Sequence, residues 1–139
     1  MSFLLDTNVI SEWVKPVPNP GVVRWTADAD EDRLFLSAVT LTEVRYGIER
    51  MSGSARRKRL VEWLEDDLPL RFEGRILAID AATADVCGKL LADSEGRGRR
   101  MEVIDAFLAA TAEVHQFTIV TRNTSDFEAV KQSVLNPWV

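Results

Sequence analysis

The chain alternates short apolar runs with longer amphipathic segments, and this order constrains its fold more than any other feature. Four apolar runs have the length and composition of buried strands, at residues 3–5, 34–37, 76–79 and 118–121. Four longer segments have helical periodicity, at residues 40–50, 55–67, 81–93 and 102–115. A further helix is expected from Gly21 onward, after three closely spaced prolines. This alternation predicts an α/β fold in which helices cover a parallel sheet.

The length and charge of the chain limit its organisation and its partners. A chain of 139 residues that is 46% hydrophobic can form one domain with a real core, so we expect a single domain over residues 1–139. Its formal net charge of -5 argues against a protein that coats nucleic acid by bulk electrostatics, because phosphate binding normally leaves a basic footprint. Any contact with nucleic acid must therefore be local.

Cysteine content and hydropathy bear on the compartment. The single cysteine, Cys87, excludes an internal disulfide and a cysteine-rich zinc site, which fits a reducing compartment. The first residues, MSFLLDTNVISEW, lack a basic region before their apolar run, and Asp6 interrupts that run. We therefore expect neither a signal peptide nor a membrane span there, and no later stretch has the length of one. The expectation is a cytoplasmic protein without membrane contact.

Four carboxylates occur where a predicted strand gives way to a helix or in the first turns of a helix. They are Asp6, Glu43, Asp105 and Asp126. Because the carboxyl ends of parallel strands open on the same edge of a sheet, these side chains can converge in one crevice. Four carboxylates in one crevice repel one another near neutral pH unless protonation or a cation relieves the repulsion. A hard divalent metal ion is the simplest counter-charge.

Each of these acids also has an ordinary structural explanation. Asp6 lies in the turn-forming sequence DTN, and Glu43 follows a threonine at the spacing of a capping box. Asp126 fits the first turn of a helix capped by Asn123. Asp105 is harder to explain, because it lies on a stripe of small residues in the otherwise apolar segment VIDAFLAATAEV. The joint pattern of the four positions carries the prediction more than any single member.

Polar residues next to the acids strengthen the predicted cluster. The hydroxyl and amide side chains there are Thr7, Asn8, Thr121 and Asn123. Such groups can hold carboxylates or metal-bound waters in place, although turn chemistry alone also accounts for them. Asp80 also ends a predicted strand, but it directly precedes a helix and is explained as the cap of that helix.

Basic and aromatic residues are predicted to contribute at the periphery. Arg97, Arg99 and Arg100 belong to an expected loop at residues 94–100, before the helix that carries Asp105. They are either guides for a phosphate backbone or part of a solvated loop. The basic run at residues 56–59 is more typical of a solvated helix face.

Two further residue types bear on the site and its partners. His115 lies ten residues after Asp105, about 15 Å along a helix axis, so we expect it outside the site. Trp13, Trp25 and Trp63 lie on predicted amphipathic helices, where most aromatics are core residues. One or two of them could instead form an interface.

Taken in order, the motifs LLDTN, SAVTLTEVRYGIE, IDAFLAATA and TRNTSDF resemble those of PIN-domain ribonucleases. The resemblance extends over the whole chain to the final NPWV and is to the VapC-type toxins of bacterial type II toxin-antitoxin pairs, in their FitB-like branch. It implies a three-layer α/β/α fold with a central, mainly parallel sheet and a Mg²⁺- or Mn²⁺-dependent endoribonuclease activity. It also implies an RNA substrate, a homodimer, a cognate VapB-type antitoxin, and contact with DNA only indirectly through that antitoxin.

Carried over to this sequence, the catalytic and metal-binding positions of the family are Asp6, Glu43, Asp105 and Asp126. We expect Asp6 and Asp105 to bind the metal directly, because Mg²⁺ prefers oxygen ligands and keeps several waters. Glu43 and Asp126 would complete the metal environment or orient the attacking water. Whether one ion or two are used is left open.

Two other fold families with acids at strand ends each lack a required residue. A haloacid dehalogenase-type phosphatase needs a second aspartate where this chain has Asn8. A receiver domain needs a lysine after the last core strand, where this chain has Thr121, Arg122 and Asn123. The remaining alternative is a PIN-like binding or regulatory subunit with little or no nuclease activity.

Overall fold

A computed structural model describes residues 1–139 and contains one five-stranded sheet. Its strands are β1 (Phe3–Leu5), β2 (Leu34–Ser37), β3 (Ile76–Leu77), β4 (Thr118–Val120) and β5 (Val134–Leu135). All neighbouring strands are parallel, in the order β3-β2-β1-β4-β5. The first strand is therefore central, and Leu4 pairs with Phe35 on one side and Ile119 on the other.

Helices fill most of the connections between strands. They are α1 (Thr7–Trp13), α2 (Pro20–Asp28), α3 (Ala38–Glu49), α4 (Ala55–Glu62), α5 (Leu68–Arg71), α6 (Ala81–Gly96) and α7 (Val103–His115). Short 3-10 turns occupy Glu31–Arg33 and Thr124–Phe127. None of the helices is both long and apolar enough to cross a membrane.

The sheet has a hydrophobic core on each face, because successive side chains of a strand point to opposite sides. Leu5 and Val120 belong to a cluster that includes Val9 of α1 and Val44 of α3. Leu4 and Ile119 belong to a second cluster with Leu108, Ala109 and Ala112 of α7. The result is the expected three-layer arrangement, with α1–α5 contributing to the first core and α6 and α7 covering the other face.

Several helices begin at residues that cap them. Asn19 caps α2 and Pro20 follows at the first helical position, where a missing N–H costs nothing. Ser37, Ser54 and Asp80 cap α3, α4 and α6 in the same way, each by accepting a backbone N–H. The expected cap at Asp80 is confirmed, with the N–H of Thr83 at 2.9 Å from its Oδ1.

The predicted boundaries differ from the structure at several strands, helices and loops. Strand β3 ends at Leu77 rather than at residue 79, and β4 ends at Val120. Strand β5 was not predicted, because its two residues carry too little apolar pattern, and its pairing depends on backbone bonds to β4. The expected loop at residues 94–100 begins only at Arg97, since α6 continues through Gly96.

The helical segment predicted at residues 55–67 is interrupted. A π-helical turn at Trp63–Asp67 follows α4, and the N–H of Leu68 bonds the carbonyl of Trp63. Pro69 explains this change, because a proline ring clashes with the carbonyl four residues earlier in a regular α-helix. A wider turn before the proline relieves that clash.

Candidate active site

Asp6 joins the central strand to α1 at the carboxyl edge of the sheet. Its N–H donates to the carbonyl of Val120 at 2.9 Å, which extends the pairing of β1 with β4. Its Oδ1 accepts the N–H of Thr7 at 2.7 Å, so Asp6 also caps α1. Its Oδ2 accepts the hydroxyl of Thr121 at 2.8 Å. The residue is only 7% exposed, and capping alone does not explain so buried a carboxylate.

Glu43 lies on the second turn of α3 and faces α1. The cap of α3 is Ser37, whose Oγ accepts the N–H of Val39 at 3.2 Å. The interpretation of Glu43 as part of a capping box is therefore wrong, because the helix begins earlier than that spacing requires. Its Oε1 instead accepts the hydroxyl of Thr7 at 2.5 Å, across 36 positions of sequence.

Asn8 and Thr121 complete a small network around Asp6. Asn8 Nδ2 lies 3.4 Å from Asp6 Oδ2 and 3.3 Å from Thr121 Oγ1. Asn8 Oδ1 accepts the N–H of Arg122 at 3.3 Å. Asn123 contributes only its N–H, which donates to Thr121 Oγ1 at 3.0 Å. The network fixes the carboxylate of Asp6 relative to the ends of β1 and β4.

Asp105 and Asp126 approach the same edge from the other face of the sheet. Asp105 lies in the first turn of α7 and is half-buried, whereas Asp126 lies in the 3-10 turn after β4 and is exposed. Both line an open cavity of about 510 Å³ together with Arg97, Arg99 and Arg100. The structure therefore places two of the predicted acids beside the predicted basic loop.

The carboxylates perturb one another. Burial, together with the charges of Asp6, Asp126 and Glu43, raises the pKa of Asp105 to about 7. Burial also raises the pKa of Asp6 despite its hydrogen bonds from Thr121 and Thr7, and the charge of Asp126 acts in the same direction. For Glu43, burial again raises the pKa, opposed by the hydrogen bond from Thr7.

No cation balances this group. None of the ten ion pairs of the chain involves Asp6, Glu43, Asp105 or Asp126. Interacting acids with raised pKa values and no basic partner are typical of functional sites. Asp105 and Asp126 line one cavity, whereas Glu43 lines a separate cavity of about 220 Å³ with Thr7 and Lys15. The sheet edge that carries these acids is the best candidate for an active site in this molecule.

Comparison with known proteins agrees with this geometry. The sequence matches the PIN domain family over residues 3–132. The chain belongs to the PIN domain family. It is 37% identical to toxin FitB of Neisseria gonorrhoeae over 135 residues, which cover 97% of each chain. It is 36% identical to the VapC ribonuclease Y4jK of Sinorhizobium fredii, over 97% of this chain and 96% of that one.

A solved structure of FitAB bound to a DNA fragment shows the same fold. The PIN domain described here superposes on it with a TM-score of 0.91 and 36% identity, over 99% of this chain and 96% of the other. The expected resemblance to VapC- and FitB-like proteins and the expected α/β/α fold are therefore confirmed.

The donor set of this PIN domain fits a hard divalent cation. All four acidic side chains offer oxygen, the ligand type that Mg²⁺ and Mn²⁺ favour. No three acidic, histidine or cysteine side chains are grouped closely enough to hold an ion without help. Mg²⁺ is usually bound by one or two carboxylates and several waters, so a preformed cage of protein ligands is not required.

The three loop arginines differ in how they are held. Arg97 pairs with Asp93, and Arg99 pairs with Glu128 at 3.2 Å, both on the exposed surface. Arg100 has no carboxylate partner. Exposed ion pairs contribute little free energy, so a phosphate can replace these carboxylates at small cost.

Other basic groups lie away from the cavity of Asp105. His115 is in the last turn of α7, with its ring 5.4 Å from that of Phe117, as expected for a residue outside the site. In the basic run at residues 56–59, Arg57 is committed to Glu49 at 3.1 Å and to the carbonyl of Ile48. Within this run, Arg57 therefore has a structural role, because it links α4 to the end of α3.

Sequence reasoning did not single out Arg122 as a site residue. It follows Thr121 directly and lies at the rim of the network that holds Asp6. Its position could have marked it as a candidate, because it directly follows a predicted strand and lies between the candidate residues Thr121 and Asn123. Arg122 is therefore the one residue that the structure adds to the site residues predicted from the sequence.

Proposed function

We propose that this PIN domain is a metal-dependent endoribonuclease that hydrolyses phosphodiester bonds of RNA. The observation that carries the proposal is the convergence of Asp6, Glu43, Asp105 and Asp126 at one sheet edge, with raised pKa values for three of them and no basic partner. Its relatives include a protein named a VapC ribonuclease, which supports the same activity.

Asp6 and Asp105 would hold the metal, with Mg²⁺ or Mn²⁺ as the ion. When bound, the ion supplies a counter-charge for the carboxylates and polarises the phosphate and an attacking water. Thr121 keeps Asp6 oriented by donating to its Oδ2, and the remaining carboxylate lone pairs would bind the ion. This orientation is set before the substrate arrives, which reduces the reorganisation needed during the reaction.

Glu43 and Asp126 would act on the water and on the substrate side of the site. The Thr7 hydroxyl holds Glu43 through Oε1, which leaves Oε2 for a water molecule or its proton. In the reaction, the water oxygen forms a bond to phosphorus and one ester P–O bond breaks. The water proton passes to a carboxylate and the leaving oxygen is protonated from solvent.

The biological role we propose is that of a toxin held by a small cognate antitoxin. Support comes from the similarity to toxin FitB and from the solved FitAB complex with DNA. By analogy, a homodimer of this chain would bind a VapB-type antitoxin, and the antitoxin would contact DNA. A single domain over residues 1–139 acting in the cytoplasm is part of the same proposal.

The test is cleavage of a mixed RNA pool by purified, antitoxin-free protein in Mg²⁺, Mn²⁺ or EDTA. Glu43→Gln should reduce cleavage strongly, whereas Glu49→Gln on the same helix should not, because Glu49 is exposed and pairs with Arg57. Cleavage that persists in EDTA, or that survives in both Asp6→Asn and Glu43→Gln, would refute the proposed site. RNA binding without cleavage would favour a binding or regulatory subunit.

A further inference from the structure

Arg122 is tied by its backbone into the network around Asp6. The N–H of Arg122 donates to Asn8 Oδ1 at 3.3 Å, and the preceding residue, Thr121, donates its hydroxyl to Asp6 at 2.8 Å. The side chain of Arg122 is exposed and forms no close ion pair, although its charge helps to lower the pKa of Glu12. The backbone of Arg122 is therefore fixed beside the network that holds Asp6, while its guanidinium is exposed and acts on Glu12 of α1.

Trp138 supports this guanidinium. The Arg122 Cζ lies 5.8 Å from the centroid of the Trp138 ring, within the range of a cation–π contact. Trp138 itself is half-buried and packs against the core that includes Val9 and Val22. The support restricts where the arginine can point, which lowers the entropy lost when it binds a ligand.

The segment after β5 is held against α2 by specific contacts. Asn19 bonds Val139 twice, from its Nδ2 to the carbonyl at 3.0 Å and through its Oδ1 to the N–H at 3.3 Å. A Cβ at Gly21 would lie 2.3 Å from the carbonyl oxygen of Pro137, closer than any side chain can approach. Glycine at this position allows the segment to pack there and thereby places Trp138.

Arg100 and Arg122 lie on opposite sides of the acidic site. Arg100 precedes α7, which covers one face of the sheet, and lines the cavity with Asp105 and Asp126. Trp138 packs on the core of the other face. A nucleic-acid backbone that passes over the sheet edge can therefore meet a cation before the acidic site and another after it.

We propose that Arg122, supported by Trp138, binds a phosphate of single-stranded RNA on the side of the acidic site opposite Arg100. The inference rests on the proposed nuclease function and adds the path of the substrate across the site. Because a phosphate contact carries no base information, Arg122 would position the strand without selecting its sequence.

The experiment measures binding of a short labelled single-stranded RNA in Ca²⁺, over about 50 to 200 mM salt. Arg122→Ala is expected to weaken binding about three- to tenfold and to reduce the slope of log affinity against log salt by about 0.7, the value for one phosphate contact on a single strand. Arg122→Lys should keep the slope, because it keeps the charge. In Mg²⁺, Arg122→Ala should raise KM and leave kcat within about twofold.

Arg50→Ala is the matched control. Arg50 is also exposed and without an ion pair, and its guanidinium lies 5.2 Å from the ring centroid of Tyr46. It stands at the end of α3, seven residues beyond Glu43 and about 10 Å along the helix axis. Arg50→Ala should bind RNA as the wild type does. Trp138→Phe should lose less affinity than Trp138→Ala, with folding of both checked by thermal melting.

Each remaining outcome decides against the proposal. If the wild type binds RNA and Arg122→Ala binds equally well, or no worse than Arg50→Ala, Arg122 is not a phosphate contact and the nuclease proposal is unaffected. If Arg122→Ala weakens only the complex with the antitoxin protein, Arg122 belongs to a protein interface. If the wild type neither binds nor cuts RNA in any divalent metal, the inference fails together with the nuclease proposal.

Discussion

Asp6 and Asp80 begin two helices in the same way but have opposite electrostatic environments. Each aspartate precedes a helix and accepts a backbone N–H, from Thr7 at 2.7 Å and from Thr83 at 2.9 Å. Asp80 is exposed, and the hydrogen bond from the Thr83 backbone holds its pKa below the ordinary value. Asp6 is buried, and burial raises its pKa even though Thr121 and Thr7 both donate to it.

The difference comes from tertiary neighbours, not from local structure. Around Asp6 the sheet edge brings in Glu43 from α3, Asp105 from α7 and Asp126 from the turn after β4. The charged group that acts on the pKa of Asp80 is His115, and it lowers that pKa. A capping aspartate becomes a functional candidate only where the fold adds other carboxylates and withholds a cation.

The largest expected effect contrasts the two caps directly. Asp6→Asn should reduce RNA cleavage by about 100-fold or more, because substitution of residues that merely support metal ligands already costs 10- to 100-fold. Asp80→Asn should cleave at nearly the wild-type rate, since asparagine also caps helices well. Rates on one RNA in Mg²⁺ measure both. Similar losses of cleavage in the two variants would show that Asp6 has no catalytic role beyond capping its helix.

The hydroxyl of Thr121 is the next test, because it reaches Asp6 from the end of another strand, 115 positions along the chain. Thr121→Val removes the donor to Asp6 Oδ2 and is expected to lower metal affinity or cleavage about 10- to 100-fold. Thr111→Val is the control: its hydroxyl bonds the carbonyl of Phe107 within α7. Metal titration of both variants decides the point, and equal behaviour would remove Thr121 from the site.

The raised pKa of Asp105 predicts how stability changes with pH when no divalent metal is present. Between about pH 4 and pH 7 the folded chain keeps a proton on Asp105 that the unfolded chain has released, so stability falls as pH rises through this window. In EDTA, the Tm should be a few degrees higher at about pH 5 than at about pH 8.

Two variants separate this effect from general titration. Asp105→Asn should flatten the decrease in Tm, because the substituted side chain does not ionise. Asp80→Asn should leave the decrease unchanged, since the pKa of Asp80 is lowered and its contribution is lost only in more acidic solution. Mg²⁺ should raise the Tm more at the higher pH. A Tm profile of Asp105→Asn that parallels the wild type would contradict the assigned cause.

The smallest expected effect concerns Arg100, which lines the cavity and has no ion pair. Arg100→Ala should raise KM for RNA a few-fold at low salt and much less at high salt, because salt screens an exposed phosphate contact. Arg24→Ala removes an equally unpaired charge from α2 and serves as the control. Steady-state cleavage at two salt concentrations suffices, and a change in kcat alone would argue against phosphate binding by Arg100.

The sequence predicted the site in part because its members stand at strand ends. Asp6 was expected to end a strand, and it does so at the central strand of the sheet. The capping-box interpretation of Glu43 failed because the helix start was placed two residues late, and Ser37 is the cap. Boundaries of this kind depend on which side chain reaches a free N–H, which spacing alone does not fix.

Elements with little pattern of their own were beyond sequence reasoning. Strand β5 has two residues and exists through its pairing with β4. The contact of Trp138 with Arg122 joins positions that share no periodicity, and it depends on the close approach of Pro137 to Gly21. Neither could be read from composition or spacing.

By itself, the sequence determined the alternation of strands and helices, the identities of the four acids and their places at strand ends or early in helices. These follow from periodicity and capping chemistry, which act over a few residues. Only the tertiary structure decided that Asp6 is buried, that Thr7 reaches Glu43 and that the charges of the four acids act on one another. Desolvation and charge repulsion depend on distances between residues far apart in the chain, and the parallel sheet sets those distances.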